Sequence, residues 1–170
     1  MNLVFDLETN GLYHDCTEIH CLCIYDLDAN QTLVYNDQGS EEPITRGLQI
    51  LEGASTIIGH NIIGYDLTII NKLYPWFSRD GVTVDTLVCS RLLFPDLVTR
   101  DQRVKGLPMK LRGRHSLEAW GYRLGTNKGE FGKETDWKSW SQEMQDYCVT
   151  DVKVTTKLWS HLQPLVTGSN

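Results

Sequence analysis

The chain has 170 residues, 41% of them hydrophobic, which is enough for one domain with a substantial core. Its formal net charge of −6 disfavours a uniformly basic surface for nucleic acid. Five cysteines, with only Cys21 and Cys23 close together, exclude a complete disulfide framework and argue against a zinc site. Neither a membrane-length apolar window nor a secretory leader is present, so we expect a cytoplasmic protein.

The first half of the sequence predicts three strands before any helix. They are short apolar runs separated by turn sequences, which is typical of an antiparallel meander. Their predicted bounds are 2–6, 19–25 and 32–35. Pro43 then opens a helix that reaches about Leu51, because its ring holds a helical φ. A fourth strand at 56–59 is followed by a helix at 66–73.

The second half predicts one more strand and three further helices. Their bounds are 82–84 for the strand and 86–93, 116–122 and about 141–162 for the helices. We expect Pro164 and Gly168 to end the last helix, in which a short break near Val149 is compatible with the β-branched sequence. This order predicts an α/β fold with a mixed five-stranded sheet flanked by helices. Strands one, four and five are linked through helices and should therefore be parallel.

One segment is basic, although the chain as a whole is acidic. Between Phe94 and Arg114, six basic residues against two acidic ones give +4, so the remaining chain carries −10. An acidic body with one basic loop suits an enzyme that gathers carboxylates around metal ions and holds phosphates elsewhere. A solvated charged loop is the alternative interpretation.

Four acids and a tyrosine lie in three separate segments with apolar surroundings. Asp6 and Glu8 follow an apolar strand and, being two residues apart, share one face of it. Asp66 begins the helix after the fourth strand, and Tyr147 and Asp151 share a face of the last helix. Taken singly, each has a structural explanation, such as a turn residue or an ion-pair partner. Together they predict carboxylates that repel one another until cations bind.

These segments resemble the motifs of a known nuclease family. Residues 6–12 (DLETNGL) resemble the first motif of DnaQ-like exonucleases with a ribonuclease H fold, and residues 60–66 (HNIIGYD) resemble the second. Residues 147–151 (YCVTD) have the form of the third motif in its tyrosine subclass, since the histidine of the other subclass is replaced by Asp146. Residues 85–92 and 115–125 are similar to the proofreading domain of T-odd phage family A DNA polymerases, so the resemblance covers about residues 2–162.

The resemblance implies a ribonuclease-H-like fold, with residues 1–170 forming a single 3′→5′ exodeoxyribonuclease domain that releases nucleoside monophosphates. It implies two Mg²⁺ or Mn²⁺ ions held by Asp6, Glu8, Asp66 and Asp151, with Asp6 bridging both ions. Glu8 and Asp151 would hold the water-activating ion, and Asp66 would act on the second ion through bound waters. The Tyr147 hydroxyl would orient the attacking water.

The resemblance also implies contacts with a single-stranded or frayed 3′ end of DNA. Leu12 has the spacing of an apolar wedge against the terminal base, and a loop leucine that covers the core is an equal alternative. Asn61 is expected to hydrogen-bond the terminal nucleotide, and Thr9 to offer its backbone N–H to the 3′-hydroxyl. The basic loop at about 95–114 holds two prolines and two glycines, and we expect it to be mobile until DNA binds.

Other polar and aromatic residues near these motifs are assigned to structure. Asp85 ends a strand and is interpreted as the N-cap of helix 86–93 instead of a metal ligand. Trp120 and Tyr65 are expected to pack in the core, whereas Tyr122 is available to stack on bases.

Three functional hypotheses follow. The first is a DNA exonuclease, either free or joined to a polymerase domain or subunit, acting in the host cytoplasm if it is encoded by a phage. The second is an RNA-trimming nuclease with the same chemistry. The third is a catalytically silent single-strand-binding module, which the presence of all four acids disfavours. The phage polymerase resemblance favours DNA over RNA.

Overall fold

The computed structural model describes residues 1–126 and 136–168, so part of the predicted 1–170 domain, residues 127–135 and 169–170, lies outside the described residues. Five strands form one sheet in the order β3-β2-β1-β4-β5. Their bounds are β1 Asn2–Thr9, β2 Ile19–Asp26, β3 Gln31–Asn36, β4 Thr56–Gly59 and β5 Val82–Asp85. The first three strands are antiparallel neighbours, and β1, β4 and β5 run parallel. The predicted meander and the parallel set are both confirmed.

Helices cover both faces of this sheet. Their bounds are α1 Ile44–Gly53, α2 Leu67–Leu73, α3 Thr86–Leu93, α4 Leu97–Asp101, α5 Leu117–Arg123 and α6 Gln142–Thr167. A π-helical turn, Ile62–Asp66, precedes α2, and a 3₁₀ turn, Met109–Leu111, follows α4. Alternation along β1 divides the core, because Leu3 and Phe5 pack towards α1 and α2 whereas Val4 packs towards α3, α5 and α6.

The first strand extends beyond its predicted end. Its antiparallel pairing with β2 continues to Thr9, with an irregularity after Glu8, whereas its parallel pairing with β4 stops at Val4 opposite Ile58. Asp6 and Glu8 therefore lie inside β1 and not at its end. They occupy the part of β1 that projects past the last residue of β4, where the turn Ile62–Asp66 follows.

Helix α6 is also longer than predicted. Ser141 caps it by accepting a hydrogen bond from the Met144 N–H at 3.1 Å, and the helix continues through Val149 without a break. The prediction that Pro164 ends it was wrong, because Pro164 lies inside the helix, whereas the prediction for Gly168 is confirmed: the helix ends at Thr167, and Gly168 is its C-cap with a φ of 69°. The carbonyl that Pro164 leaves without an intrahelical donor belongs to the exposed Ser160, so water can satisfy it. Among the described residues, no helix combines the length and apolarity needed to cross a membrane.

The basic segment has more structure than its composition predicts. It contains α4 and the 3₁₀ turn, and Leu107 and Leu111 are buried against Ala119 of α5. Asp101 is 1% exposed and forms an ion pair with Arg123 at 2.8 Å. All six basic side chains of the segment are exposed. The segment is thus anchored through its apolar and acidic residues and presents its cations to solvent.

Candidate active site

The first and third motifs meet where α6 packs across β1 and β2. Asp6, Glu8 and Cys148 each place one potential ligand atom within 4.8 Å of the others. The Cys148 Sγ lies 3.4 Å from the carbonyl oxygen of Asp6 and 3.7 Å from its Oδ2. Burial raises the Cys148 pKa well above its ordinary value, and its hydrogen bond with Cys21 and the charge of Asp6 act in the same direction. The thiol is therefore neutral and available as a hydrogen-bond donor towards Asp6.

Cys148 is a residue that the sequence analysis missed. The signal for it was its place inside the third motif, directly after Tyr147 and three residues before Asp151. On a helix, a residue three positions away lies on nearly the same face, so a side chain there is directed to the same region as Asp151.

Asp66 comes to the same region from the other side of β1. It is the last residue of the π-helical turn and is 4% exposed, and its carboxylate accepts a hydrogen bond from the Leu7 N–H. The pKa of Asp66 is raised to about 8: burial is the main cause, the backbone hydrogen bonds act against it, and the negative charges of Asp85 and Asp151 add to the rise. Its Oδ2 is buried without a hydrogen-bond partner. Within the described part of the chain, no lysine or arginine forms an ion pair with Asp66.

Asp151 and Tyr147 complete the set from α6. Asp151 is 7% exposed. Its negative charge raises the pKa of Asp66 and also that of Cys23 in β2, so Asp151 lies close to both residues. Burial is the main cause that raises the Cys23 pKa, followed by the charge of Asp6, with Asp151 also contributing. Tyr147 is half-buried one turn before Asp151. The structure thus brings all five predicted catalytic residues to one region, from β1, the π-helical turn and α6.

The predicted substrate contacts lie at the end of β1, in the loop after it, and directly before the π-helical turn. Thr9 is buried, and its hydroxyl donates to the Gly11 carbonyl at 3.0 Å and lies 2.6 Å from the Tyr65 hydroxyl. The ring of Tyr65 packs against the core as predicted, and its hydroxyl ties the first motif to the second. Leu12 is 76% exposed, so the alternative that it covers the core is wrong. Asn61 is exposed and left-handed, with a φ of 62°.

The structural assignments of nearby residues are largely confirmed. Asp85 caps α3 by accepting a hydrogen bond from the Leu87 N–H at 2.9 Å. Trp120 is 3% exposed, and its indole N–H donates to the Ser90 hydroxyl at 2.8 Å. Tyr122, which we expected to be available for stacking, is half-buried beside the small apolar cluster under the basic segment.

A basic cleft opens beside the second motif. Its volume is about 460 Å³, and its lining includes His60, Asn61, Arg91 and Arg114. His60 holds the end of β4 to the turn before α5, because its ring nitrogens lie 2.8 Å from the Thr86 hydroxyl and 2.9 Å from a backbone carbonyl oxygen in that turn. The two arginines are exposed, so the cleft offers positive charge next to the first residues of the second motif.

The mixed sheet, with acids that converge where β1 extends past the end of β4, is the arrangement of a ribonuclease-H-like nuclease domain. Residues 3–105 match the family model of the RNase H superfamily, and the chain belongs to this superfamily. It is similar to two phage enzymes along 94% of its length: it is 34% identical to the DNA-directed DNA polymerase of Escherichia phage T7 and 35% identical to that of Enterobacteria phage T3. The chain spans 26% of the length of each of these relatives.

Solved structures with the same fold include exonucleases. Brucella melitensis NrnC superposes with a TM-score of 0.65 at 20% identity, covering 98% of this chain and 75% of that one. E. coli Exonuclease I in complex with a dT13 oligonucleotide superposes with a TM-score of 0.60 at 15% identity, covering 98% of this chain and 42% of that one. The predicted fold class and the relationship to phage polymerases are confirmed.

Proposed function

We propose that this chain is a metal-dependent 3′→5′ exonuclease that hydrolyses the terminal phosphodiester bond of a DNA strand and releases nucleoside monophosphates. The observation that carries the proposal is the buried Asp66 carboxylate, which has an oxygen without a hydrogen-bond partner in a region shared with three other acids. Such a cluster is costly unless cations neutralise it. The relationship to two phage DNA polymerases supports DNA as the substrate.

The acids present fit hard divalent cations. Asp6, Glu8, Asp66 and Asp151 offer carboxylate oxygens, which Mg²⁺ and Mn²⁺ prefer, and they would hold two such ions. When bound, these ions supply charge for the developing negative charge on the phosphate and acidify a bound water. NrnC has been solved with bound Mg²⁺, which agrees with this choice of metal.

The remaining residues of the site would position the substrate. The Tyr147 hydroxyl would orient the attacking water through a hydrogen bond, which is a positioning role. The exposed Leu12 side chain would stack on the terminal base, and Asn61 would hydrogen-bond the terminal nucleotide. Thr9 would offer its backbone N–H to the 3′-hydroxyl.

The basic segment would hold the rest of the strand. Its exposed arginines and lysines, together with the basic cleft beside Asn61, carry charge complementary to backbone phosphates. We further propose that the chain is the proofreading domain of a phage DNA polymerase or a free-standing counterpart of one, so that a polymerase domain or subunit is its protein partner. Structures of NrnC bound to pGG and of Exonuclease I bound to dT13 agree with a single strand as substrate.

The test is digestion of a 5′-labelled single-stranded DNA oligomer with Mg²⁺ or Mn²⁺. We expect a ladder that shortens from the 3′ end and disappears with EDTA and in Asp66→Ala and Asp6→Ala. The control is Asp80→Ala, which should retain full activity. Asp80 is an exposed acid in the loop before β5, whereas Asp85 ends that strand. Metal-dependent trimming that survives in Asp66→Ala would contradict the site assignment.

Two further arms separate the competing functions. An RNA oligomer of the same sequence, trimmed as fast as DNA, would favour the RNA-nuclease hypothesis. Absence of trimming with every metal, combined with binding of the oligomer, would favour the silent single-strand-binding module. Matched and mismatched primer ends, compared in the same assay, test the proofreading role.

A further inference from the structure

Asp85 does more than cap the helix that follows it. It ends β5 and lies opposite Gly59, the last residue of β4, so its side chain is next to the second motif. It is 5% exposed, and its Oδ1 accepts hydrogen bonds from the N–H groups of Asn61 and Leu87, each at 2.9 Å. Its Oδ2 accepts a hydrogen bond from the Ile63 N–H at 3.0 Å. One buried carboxylate therefore serves both α3 and the turn that carries Asp66.

That turn has no cap of its own. A helical turn leaves its first N–H groups without partners inside the helix. Asn61 precedes the turn in the left-handed conformation, and its side chain makes no capping hydrogen bond. Asp85 supplies acceptors for N–H groups on both sides of Ile62, so the start of the turn is held from a neighbouring strand.

We infer that Asp85 is a positioning residue of the proposed exonuclease, which fixes the turn Ile62–Asp66 so that Asp66 reaches the other acids and Asn61 faces the substrate. This inference rests on the proposed function for its catalytic consequence. Asp85 acts through the backbone of the second motif and is not itself assigned a metal ion or a contact with DNA. Residues that orient ligands in this way affect metal affinity or activity by about 10- to 100-fold when replaced.

Two substitutions separate the two tasks of this carboxylate. In Asp85→Asn, the amide oxygen can retain the hydrogen bonds from Asn61 and Leu87, but the amide NH₂ then faces the Ile63 N–H, donor against donor. In Asp85→Ser, the new residue remains a good N-cap for α3, but its side chain is too short to reach the turn as well. Both variants therefore retain the helix cap, but Asp85→Asn loses the hydrogen bond from Ile63 and Asp85→Ser loses those from both Asn61 and Ile63.

The matched control is Asp26→Asn. Asp26 also accepts two backbone hydrogen bonds through one oxygen, from Asp28 at 2.9 Å and Ala29 at 3.1 Å, but it does so in the turn between β2 and β3. The control makes the same chemical change and the same change in net charge without touching the second motif.

The experiment combines a measurement on the metal-free protein with two on the metal-bound protein. Amide hydrogen exchange, followed by NMR without metal, should show the Ile63 amide exchanging roughly tenfold faster in Asp85→Asn, with the Leu87 amide unchanged. In Asp85→Ser, the amides of both Asn61 and Ile63 should exchange faster. Calorimetric Mn²⁺ affinity and the turnover number for trimming should each fall by about 10- to 100-fold in both variants, and neither should change in Asp26→Asn.

Two results would overturn the inference: unchanged exchange at Ile63, or faster exchange with Mn²⁺ affinity and turnover equal to those of the control. If Asp85→Asn does not fold, Asp85→Ser provides the same comparison. If the wild-type protein trims no DNA, the proposed function fails. The exchange and Mn²⁺ measurements then still decide whether Asp85 holds the turn that carries Asp66.

Discussion

Asp101→Ala is expected to destabilise the domain and to release the basic segment. Asp101 ends α4, and its two oxygens accept hydrogen bonds from the Arg123 Nε and Nη2, each at 2.8 Å. It also accepts a hydrogen bond from the Gly113 N–H at 2.7 Å. The guanidinium carbon of Arg123 lies 4.7 Å from the ring centroid of Trp120. These contacts join α4, the turn at Gly113 and α5.

The magnitude follows from the burial of both partners. The side chains of Arg123 and Asp101 are 6% and 1% exposed, so alanine leaves the guanidinium buried without its counter-charge. Removal of one partner of a buried pair costs about 3–5 kcal/mol. The free energy of unfolding of a natural domain is about 5–15 kcal/mol, so the variant should lose a large share of its stability. The double variant Asp101→Ala/Arg123→Ala should lose less than the sum of the single variants, because no unpaired charge remains.

Urea unfolding at neutral pH, followed by circular dichroism, measures these differences. Asp96→Ala removes an exposed acid from the same segment and is expected to change the free energy of unfolding by less than about 0.5 kcal/mol. A loss below about 1 kcal/mol in Asp101→Ala, or additive losses in the double variant, would refute the reasoning.

The stability that the Asp101–Arg123 pair contributes should depend on pH. Burial by itself raises the pKa of Asp101, but the hydrogen bonds from Arg123 and Gly113 outweigh it, so the pKa is lower than the ordinary value. A carboxyl whose pKa is lowered by folding stabilises the protein above its unfolded-state pKa of about 3.9, and this stabilisation is lost as the pH falls through the folded-state pKa. The stability difference between wild type and Asp101→Ala should therefore shrink below about pH 4. A constant difference in acid would contradict this account.

Three further predictions concern the site. Tyr147→Phe should slow trimming while calorimetric Mn²⁺ affinity is retained, and an unchanged rate would reduce Tyr147 to a packing residue. Leu12→Ala should change stability by less than about 0.5 kcal/mol, because the side chain is 76% exposed. It should slow the trimming of duplex ends more than the trimming of single strands. The control Leu92→Ala, which removes a side chain that is 77% exposed on α3, should slow neither. Equal slowing of duplex and single-strand trimming in Leu12→Ala would argue against a wedge. In thermal shift measurements Mg²⁺ should raise the melting temperature of the wild type but not of Asp66→Ala, and an equal rise would locate Mg²⁺ elsewhere.

Much of the fold could be predicted because its elements depend on local patterns. The apolar runs of β1 and β2 alternate with turn sequences, and Asp85 directly precedes a helical segment, which is sufficient to predict its capping role. Local patterns failed where long-range contacts decide. The exposure of the last turn of α6 permits Pro164 inside the helix, and pairing with β2 extends β1 to Thr9. The buried partner of Asp101 lies outside the segment in which the sequence predicted only a loop.

The sequence by itself determined which residues are candidates for catalysis. Asp6, Glu8, Asp66, Tyr147 and Asp151 are identified because three short segments resemble the motifs of a known exonuclease family, and this resemblance belongs to the chain before it folds. Only the tertiary structure decided how the motifs meet. The pairing of β1 with β4 ends early, which leaves the Leu7 N–H to hold Asp66, and α6 crosses β1 so that Cys148 contacts Asp6. These arrangements arise from packing between segments far apart in the chain, which local sequence patterns do not encode.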